Sequence, residues 1–435
     1  MPQLGMKHKN KTKEFNFRLI NNRMILRRSY KYRLYPTKNQ KHRLQGTLDL
    51  CRDLYNSALQ ERIEAYKKNR VSLSYIDQQN ELPVLRKELP EYELVYSQVL
   101  QNVLKRLDTN FKSFFRRLKK HEKPGFPRYK GYDRYDSFTY PQGGFKLKEG
   151  KISLSKLGDI KLKLSRPIPG KLKTCTIKRE TDRWYIILTS EIEKDIKPVT
   201  ELKPVALDLG IKRFAVLGTV EHSTQNIEEI LESKNYKQAI IDNPKHLKRA
   251  EKRLKKAHRK LSLAKKGSLE RNKAKKVLSK VYRKVNNQRN DFLHKLSRQI
   301  VNNYNQIFLE NLNINSMLQK HWVSKEISDA SWGKFVNYIS YKAEEAGKGV
   351  YPLPPKDSSR TCFKCGYIKE DLILSDRDWI CPVCGTQHDR DVNAAFELLN
   401  RGLENHLAEK AYEYYTGLGL QTIGGEISPS IEAVG

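Results

Sequence analysis

The chain has 435 residues, with 84 Lys or Arg against 49 Asp or Glu, a formal charge of +35, a pI near 9.8 and a mean hydropathy of -0.73. No apolar window approaches a membrane span and residues 1–23 have no apolar signal-peptide core, which argues against a membrane or secreted protein and predicts a soluble, cytoplasmic, nucleoid-associated one. The length predicts two or three domains, and the basic excess predicts a polyanionic partner, because each neutralised phosphate releases condensed counterion.

Residues 1–23, with Lys7-His8-Lys9-Asn10-Lys11, read as a basic arm. Leu26 to Tyr35 alternates basic with aromatic or apolar residues, the pattern of a strand with one packed and one cationic face, and Pro36-Thr37 ends it. Helical spacing runs over Asn39–Arg70 and Ser97–Lys120, the second carrying Leu100, Val103, Leu104, Leu107, Phe111, Phe114, Phe115 and Leu118 as the buried stripe of a bundle. Between them Tyr75, Gln78, Gln79 and Asn80 form a polar cluster that suits either reading of adenine edges or a capped, solvated turn. Lys123 to Tyr129 is turn chemistry. Six short strands follow, at Ser137–Tyr140, Gly144–Leu147, Lys151–Leu154, Ile160–Leu164, Thr174–Arg179 and Trp184–Leu188. They are expected to close with the first strand into a small barrel, so that the helical bundle is an insertion.

Beyond a polar linker at Lys194–Glu201, the run Val205-Ala206-Leu207-Asp208-Leu209-Gly210 places a carboxylate between two small residues on one face of a strand. Those small neighbours are expected to let a metal and a phosphate backbone approach. Arg213–Gly218 reads as its hairpin partner and Asn226–Glu232 as a third strand. From Lys245 to Asn290 there are 19 Lys or Arg and 2 acids, about half the total excess. Apolar residues at Leu247, Ala250, Leu254, Ala257, Leu261 and Ala264, resuming after Gly267-Ser268, make this an antiparallel helical hairpin. Like charges at this density repel, and a phosphate backbone bound along Lys248, Arg249, Lys252, Arg253, Lys256 and Arg259 would relieve them. A helix at Asp291–Asn303 leads into the strand Gln306–Asn311, which carries Glu310; a helix at Ala330–Gly347 and a strand at Gly349–Leu353 follow.

Four of six cysteines stand as Cys362-x2-Cys365-x15-Cys381-x2-Cys384, the spacing of a zinc ribbon with all four positions filled by thiolate. Cys51 and Cys175 are expected to be buried. His388 suits a contact to the neighbouring site, to phosphate or only to solvent. Asp389-Arg390-Asp391 opens a helix. Carboxylates on two strands and a helix start can converge, and an acidic set of that kind suits magnesium. The element order and the three acids are those of an RNase H-like nuclease.

The segments Tyr32-Arg33-Leu34-Tyr35-Pro36, Gly125-Phe126-Pro127-Arg128, Asp208-Leu209-Gly210, Glu310-Asn311-Leu312, Ser359-Arg360-Thr361-Cys362-x2-Cys365-Gly366 and Asp391-x-Asn393-Ala394-Ala395 resemble, in order, those of TnpB, the accessory protein of insertion sequences. The resemblance spans Met24 to about Leu399. It implies an RNA-guided DNA endonuclease related to type V CRISPR effectors, an α+β multidomain chain. A wedge β-barrel (24–38 and 121–197) would hold a helical recognition domain (39–120). A RuvC nuclease (198–354 and 387–401), RNase H-like and α/β, would carry the basic hairpin 245–290 and an inserted zinc ribbon (355–386), with a flexible tail at 402–435. Asp208, Glu310 and Asp391 match the three RuvC positions, Asp389 being the alternative to Asp391. The implied cofactors are a structural zinc ion, a guide RNA from the element end, and two magnesium ions roughly 4 Å apart. The implied partner is double-stranded DNA beside a short flanking motif, bound by a monomer. A nuclease-dead repressor, an RNase H-like transposase that joins strands in DNA recombination, and an RNA-binding scaffold are the alternatives.

Overall fold

Alternation organises the first half of the chain. In β1 (Arg23–Tyr35) Leu26, Tyr30, Tyr32 and Leu34 are buried while Arg27, Lys31 and Arg33 between them face outward. The computed structural model describes residues 23–195, 202–221, 235–313, 317, 324–373 and 375–417, and the chain divides into two units, Met1–Asp195 and Ile196–Gly435.

In the first unit β1 pairs antiparallel with β7 (Arg183–Asp195) along its length, from Arg23 opposite Asp195 to Leu34 opposite Trp184. With β2 (Ser137–Tyr140), β3 (Phe145–Lys148), β4 (Lys151–Leu154), β5 (Gly158–Lys163) and β6 (Lys171–Glu180) it forms one antiparallel sheet in the order β2-β6-β7-β1-β5-β4-β3. The two edge strands, β2 and β3, are joined by only residues 141–144, so the sheet has to curl round until it is nearly closed. Inserted between β1 and β2 are α1 (Lys38–Asn69), α2 (Tyr75–Glu88) and α3 (Ser97–Lys119). Their Leu44, Leu48, Leu100 and Leu104 share one core with Phe138, Ile177 and Ile186 of the sheet.

Two expectations are corrected here. Tyr75 to Asn80 is the start of α2, whose N-terminus is fixed by a capping box between Ser74 and Asp77. The apolar stripe of α3 also leaves the core earlier than its periodicity predicts. Leu100, Val103, Leu104 and Leu107 are buried, Phe111 only partly, and Phe115 and Leu118 are 52% and 43% exposed.

The second unit holds a mixed sheet. β8 (Pro204–Asp208), β9 (Arg213–Val220) and β10 (Tyr236–Asp242) form an antiparallel meander, and β11 (Gln306–Glu310) and β12 (Gly349–Leu353) add in parallel, giving the order β10-β9-β8-β11-β12. The third strand is thus Tyr236–Asp242; the expected one at Asn226–Glu232 lies outside the described residues. Between β10 and β11 stand α4 (His246–Leu263) and α5 (Leu269–Asn303), packed through Ala250, Leu254, Val285, Leu278 and Val281. Gly267, at φ +87°, turns the chain and Ser268 caps the second arm. That arm continues through Asp291–Asn303 as one helix. α6 (Ser324–Ala330) and α7 (Trp332–Ala346) precede β12. A two-stranded ribbon, β13 (Asp378–Ile380) and β14 (Gln387–Asp389), runs into α8 (Arg390–Gly417). The expected tail from Gly402 is therefore helical as far as Gly417, because Gly402 and the buried Leu403 still pack on the sheet; residues 418–435 are outside the described set.

Candidate active site and metal centre

Strand alternation divides β8 between two cores. Val205, Leu207 and Leu209 pack with Ile300, Phe335 and Ile339 of α5 and α7, whereas Ala206 packs with Phe308, Leu398, Leu399 and Leu403 beneath α8. In the parallel register Ala206 stands beside Phe308 and Leu207 beside Leu309. One residue further, Asp208 and Glu310 end adjacent strands on the face that α8 covers. The last helix sits close because small residues meet there. A Cβ on Gly218, whose strand partner is Ala206, would lie 2.8 Å from the Ala395 carbonyl oxygen, and one on Gly402 would enter the Phe308 ring. The small residue at 206 therefore admits a helix, not the expected metal and phosphate. The one at 210 serves the turn into β9, where a Cβ would lie 2.9 Å from the Arg213 carbonyl oxygen.

Asp391 lies in the first turn of α8. Asp389 caps that turn, one of its oxygens accepting the N–H groups of Asp391 and Val392 at 3.0 and 3.1 Å. Arg213 Nη1 lies 2.8 Å from Asp389 and 3.8 Å from Asp391, and Arg377 Nη1 lies 3.3 Å from Asp391. Dense packing, then the carboxylates of Glu310 and Asp391, push the Asp208 carboxyl well above its ordinary range; Arg390 opposes them. Burial likewise raises Glu310, against a hydrogen bond from the buried Ser358 hydroxyl and the field of Arg401. Arg401 also donates to the Pro354 and Lys356 carbonyls, at 2.8 and 3.1 Å, and so fixes the segment that carries Ser358. The carboxylates of Glu310 and Asp391, near enough to Asp208 to raise its carboxyl, make with it a donor set of the kind that fits a hard divalent cation.

The ligand atoms of Cys362, Cys365, Cys381 and Cys384 lie within 4.8 Å of one another, and none of the six cysteines is in a disulfide. Sulfur pairs at 3.7 Å (Cys362–Cys384) and 3.5 Å (Cys365–Cys381) suit the edges of a zinc tetrahedron, about 3.8 Å for Zn–S bonds near 2.3 Å. His388 is buried, lies tilted against the Trp379 ring and places Nε2 3.2 Å from Cys362 Sγ, so the solvated or phosphate-facing histidine is replaced by one facing the thiol cluster. Asn393 joins this ribbon to α8, donating to the Thr361 carbonyl at 2.7 Å and accepting from the Phe363 N–H at 3.1 Å. Cys51 and Cys175 are buried as expected.

Among the nucleic-acid candidates, Lys248, Arg249, Lys252, Arg253, Lys256 and Arg259 are all exposed along α4. Asn80 is exposed and Tyr75 and Gln79 are half-buried. Gln78 is buried and committed, accepting from Arg62 at 2.8 Å and donating to the Ala58 carbonyl and Glu61, so it has no edge left for a base. Ser358, Arg401 and Arg213 were not singled out from the sequence. Only the nearness of Ser358 to the Ser359-Arg360-Thr361-Cys362 motif could have drawn attention to it.

Three family models match the chain: "Probable transposase" over residues 187–321, "Cas12f1-like, TNB domain" over 332–398 and "Helix-turn-helix domain" over 24–70. Residues 24–35 of the last stretch belong to strand β1. A protein of Streptomyces pristinaespiralis described as "Putative RNA-guided DNA endonuclease" is 33% identical over 386 residues, covering 87% of this chain and 90% of its own. The chain belongs to the TnpB family. A second TnpB relative, from Escherichia coli K12 and described as "Putative RNA-guided DNA endonuclease InsQ", is 28% identical over 86% of this chain and 92% of its own. The solved "Structure of the mini-RNA-guided endonuclease CRISPR-Cas_phi3" is 10% identical, with a TM-score of 0.48 over 87% of this TnpB chain and 92% of that one. No helix among the described residues is long and apolar enough to cross a membrane.

Proposed function

We propose that the chain is a transposon-associated, RNA-guided endonuclease that cuts double-stranded DNA beside a short flanking motif with a magnesium-dependent, RuvC-type site. The observation that carries this reading is the placement of Asp208 and Glu310 at the ends of adjacent parallel strands, under the helix whose first turn carries Asp391. Asp208, Glu310 and Asp391 would hold magnesium. The ions would supply activation of a water and charge stabilisation at the leaving oxygen. Asp391 is preferred to Asp389 as the third acid because the Asp389 carboxylate is occupied with the helix cap and Arg213. Ser358 holds one Glu310 oxygen, and Arg213 and Arg377 hold Asp391.

Cys362, Cys365, Cys381 and Cys384 would bind a structural zinc ion. The nearly closed sheet would be the wedge barrel, the inserted helices the recognition domain, and the unit from Ile196 the nuclease. A guide RNA from the element end would lie against the cationic faces, leaving sequence to base pairing. The descriptions of the relatives as RNA-guided DNA endonucleases support the guide-RNA part of this reading.

The test is to purify the protein with its RNA and assay cleavage of matched duplex DNA with and without magnesium. Asp208→Ala should abolish cutting while RNA and DNA stay bound. A variant that still cuts places the chemistry elsewhere, and strand joining with element ends would favour a transposase.

A further inference from the structure

The helix α3 carries two more turns of apolar residues than its core uses. Phe111 packs on the edge of the core, with the Arg62 guanidinium 5.3 Å from its ring centroid. Phe114, Phe115 and, from the following turn, Phe126 then gather around it. Phe126 meets Phe111 and Phe114 edge-on at 5.6 and 5.3 Å, and Phe114 meets Phe115 at 5.2 Å. Mutual edge contacts fix these rings, yet Phe115, Leu118 and Phe126 are 52%, 43% and 47% exposed.

The surroundings are strongly basic. Between Phe111 and Lys130 there are eight Lys or Arg and a single acid, Glu122. Arg116, Arg117, Lys119, Lys120, Lys123 and Arg128 are exposed, and among the described residues no ion pair engages them. A helix end and turn that served only as a solvated spacer would have no reason to hold two phenylalanines and a leucine in water, and contiguous exposed apolar surface marks an interaction site. An occupant has to satisfy aromatic faces and unpaired cations together. A nucleic acid does so, with bases stacking on the rings and phosphates reaching the rim.

We propose that Phe115 and Phe126, held by Phe111 and Phe114, form a stacking platform for unpaired bases of a single-stranded nucleic acid. The platform takes from the proposed function only that nucleic acid is bound. It does not depend on the carboxylate site.

The experiment uses the full-length Asp208→Ala protein, so that cleavage cannot interfere, and a single-stranded oligothymidylate carrying 5-iodouracil, which cross-links to stacked aromatic side chains on irradiation. Adducts are expected on Phe115 or Phe126. The double variant Phe115→Ala/Phe126→Ala should lose them and weaken oligonucleotide binding at least about tenfold at fixed salt, while Phe115→Tyr/Phe126→Tyr retains both. Adducts confined to the α4–α5 hairpin or the sheet, or unchanged affinity in the alanine variant, would overturn the platform and leave the nuclease reading intact. A dimer seen by light scattering that the alanine variant converts to monomer would assign the patch to a second copy instead. An oligonucleotide that fails to bind at all would count against nucleic-acid binding itself.

Discussion

One carboxylate oxygen of Asp389 accepts the backbone N–H of Asp391 at 3.0 Å, so the acid that caps the last helix also sets the position of the acid two residues on. Asp389→Ala should remove the cap, costing about 1 kcal/mol, and should lower cleavage only in part; Asp389→Asn, which still caps, should restore most of the stability. Asp391→Ala should abolish cleavage with little change in melting temperature. Thermal denaturation and cleavage measured on the three variants check the division of roles. A dead Asp389→Asn beside an active Asp391→Ala would reverse it.

Gly218 touches none of the acids, yet it sets the distance between the sheet and α8. A side chain there meets the Ala395 carbonyl at 2.8 Å, and backbone cannot yield as a flexible side chain can. Gly218→Val should lower unfolding free energy by about 1–3 kcal/mol and depress cleavage by displacing Asp391 from Asp208 and Glu310. Urea denaturation with cleavage kinetics provides the check, and wild-type values in both would mean that the helix contact is unimportant.

Cys381 and Cys384 of the cysteine cluster lie in the hairpin that leads into Asp389. Elemental analysis should find one zinc per chain. Stripping it should loosen β13 and β14, and with them the capped start of α8. Cleavage should then not return on adding magnesium alone but should return when zinc is added first. Recovery with magnesium alone would separate the ribbon from the nuclease site.

Protonation gives a further handle. Asp208 and Glu310 are both raised in the folded chain, so their protonated forms favour the fold. In the metal-free protein the resulting stabilisation is full below the ordinary carboxylate range and is lost as pH rises through the raised values. Asp208→Asn should flatten that decline. Ser358 opposes the rise at Glu310, so Ser358→Ala should raise Glu310 further and move the acid limb of magnesium-dependent cleavage to higher pH. A limb that stays in place would remove Ser358 from the site.

Features read from neighbours in sequence were legible without coordinates. The alternation in Leu26–Tyr35 and Val205–Gly210, the helical spacing of the basic hairpin and the paired cysteines depend on local backbone geometry and ligand spacing. The carboxylates at 208, 310 and 391 could be picked out as candidates because strand ends and a helix start are local signals. What lay across the fold was not legible. That Ala206 and Gly218 serve helix packing, that Asp389 spends its carboxylate on a cap and Arg213, and that Gln78 is consumed by Arg62 all depend on partners distant in sequence. Periodicity also overran on α3, because it marks an apolar face without saying where the opposing core stops. Sequence by itself determined the family, the strands of the first sheet, the strands that carry Asp208 and Glu310, and the candidate acids, since those are set by residue type and short-range spacing. Only the tertiary structure decided which polar groups are already satisfied and which aromatics are left in water, because burial is a property of the packed neighbours.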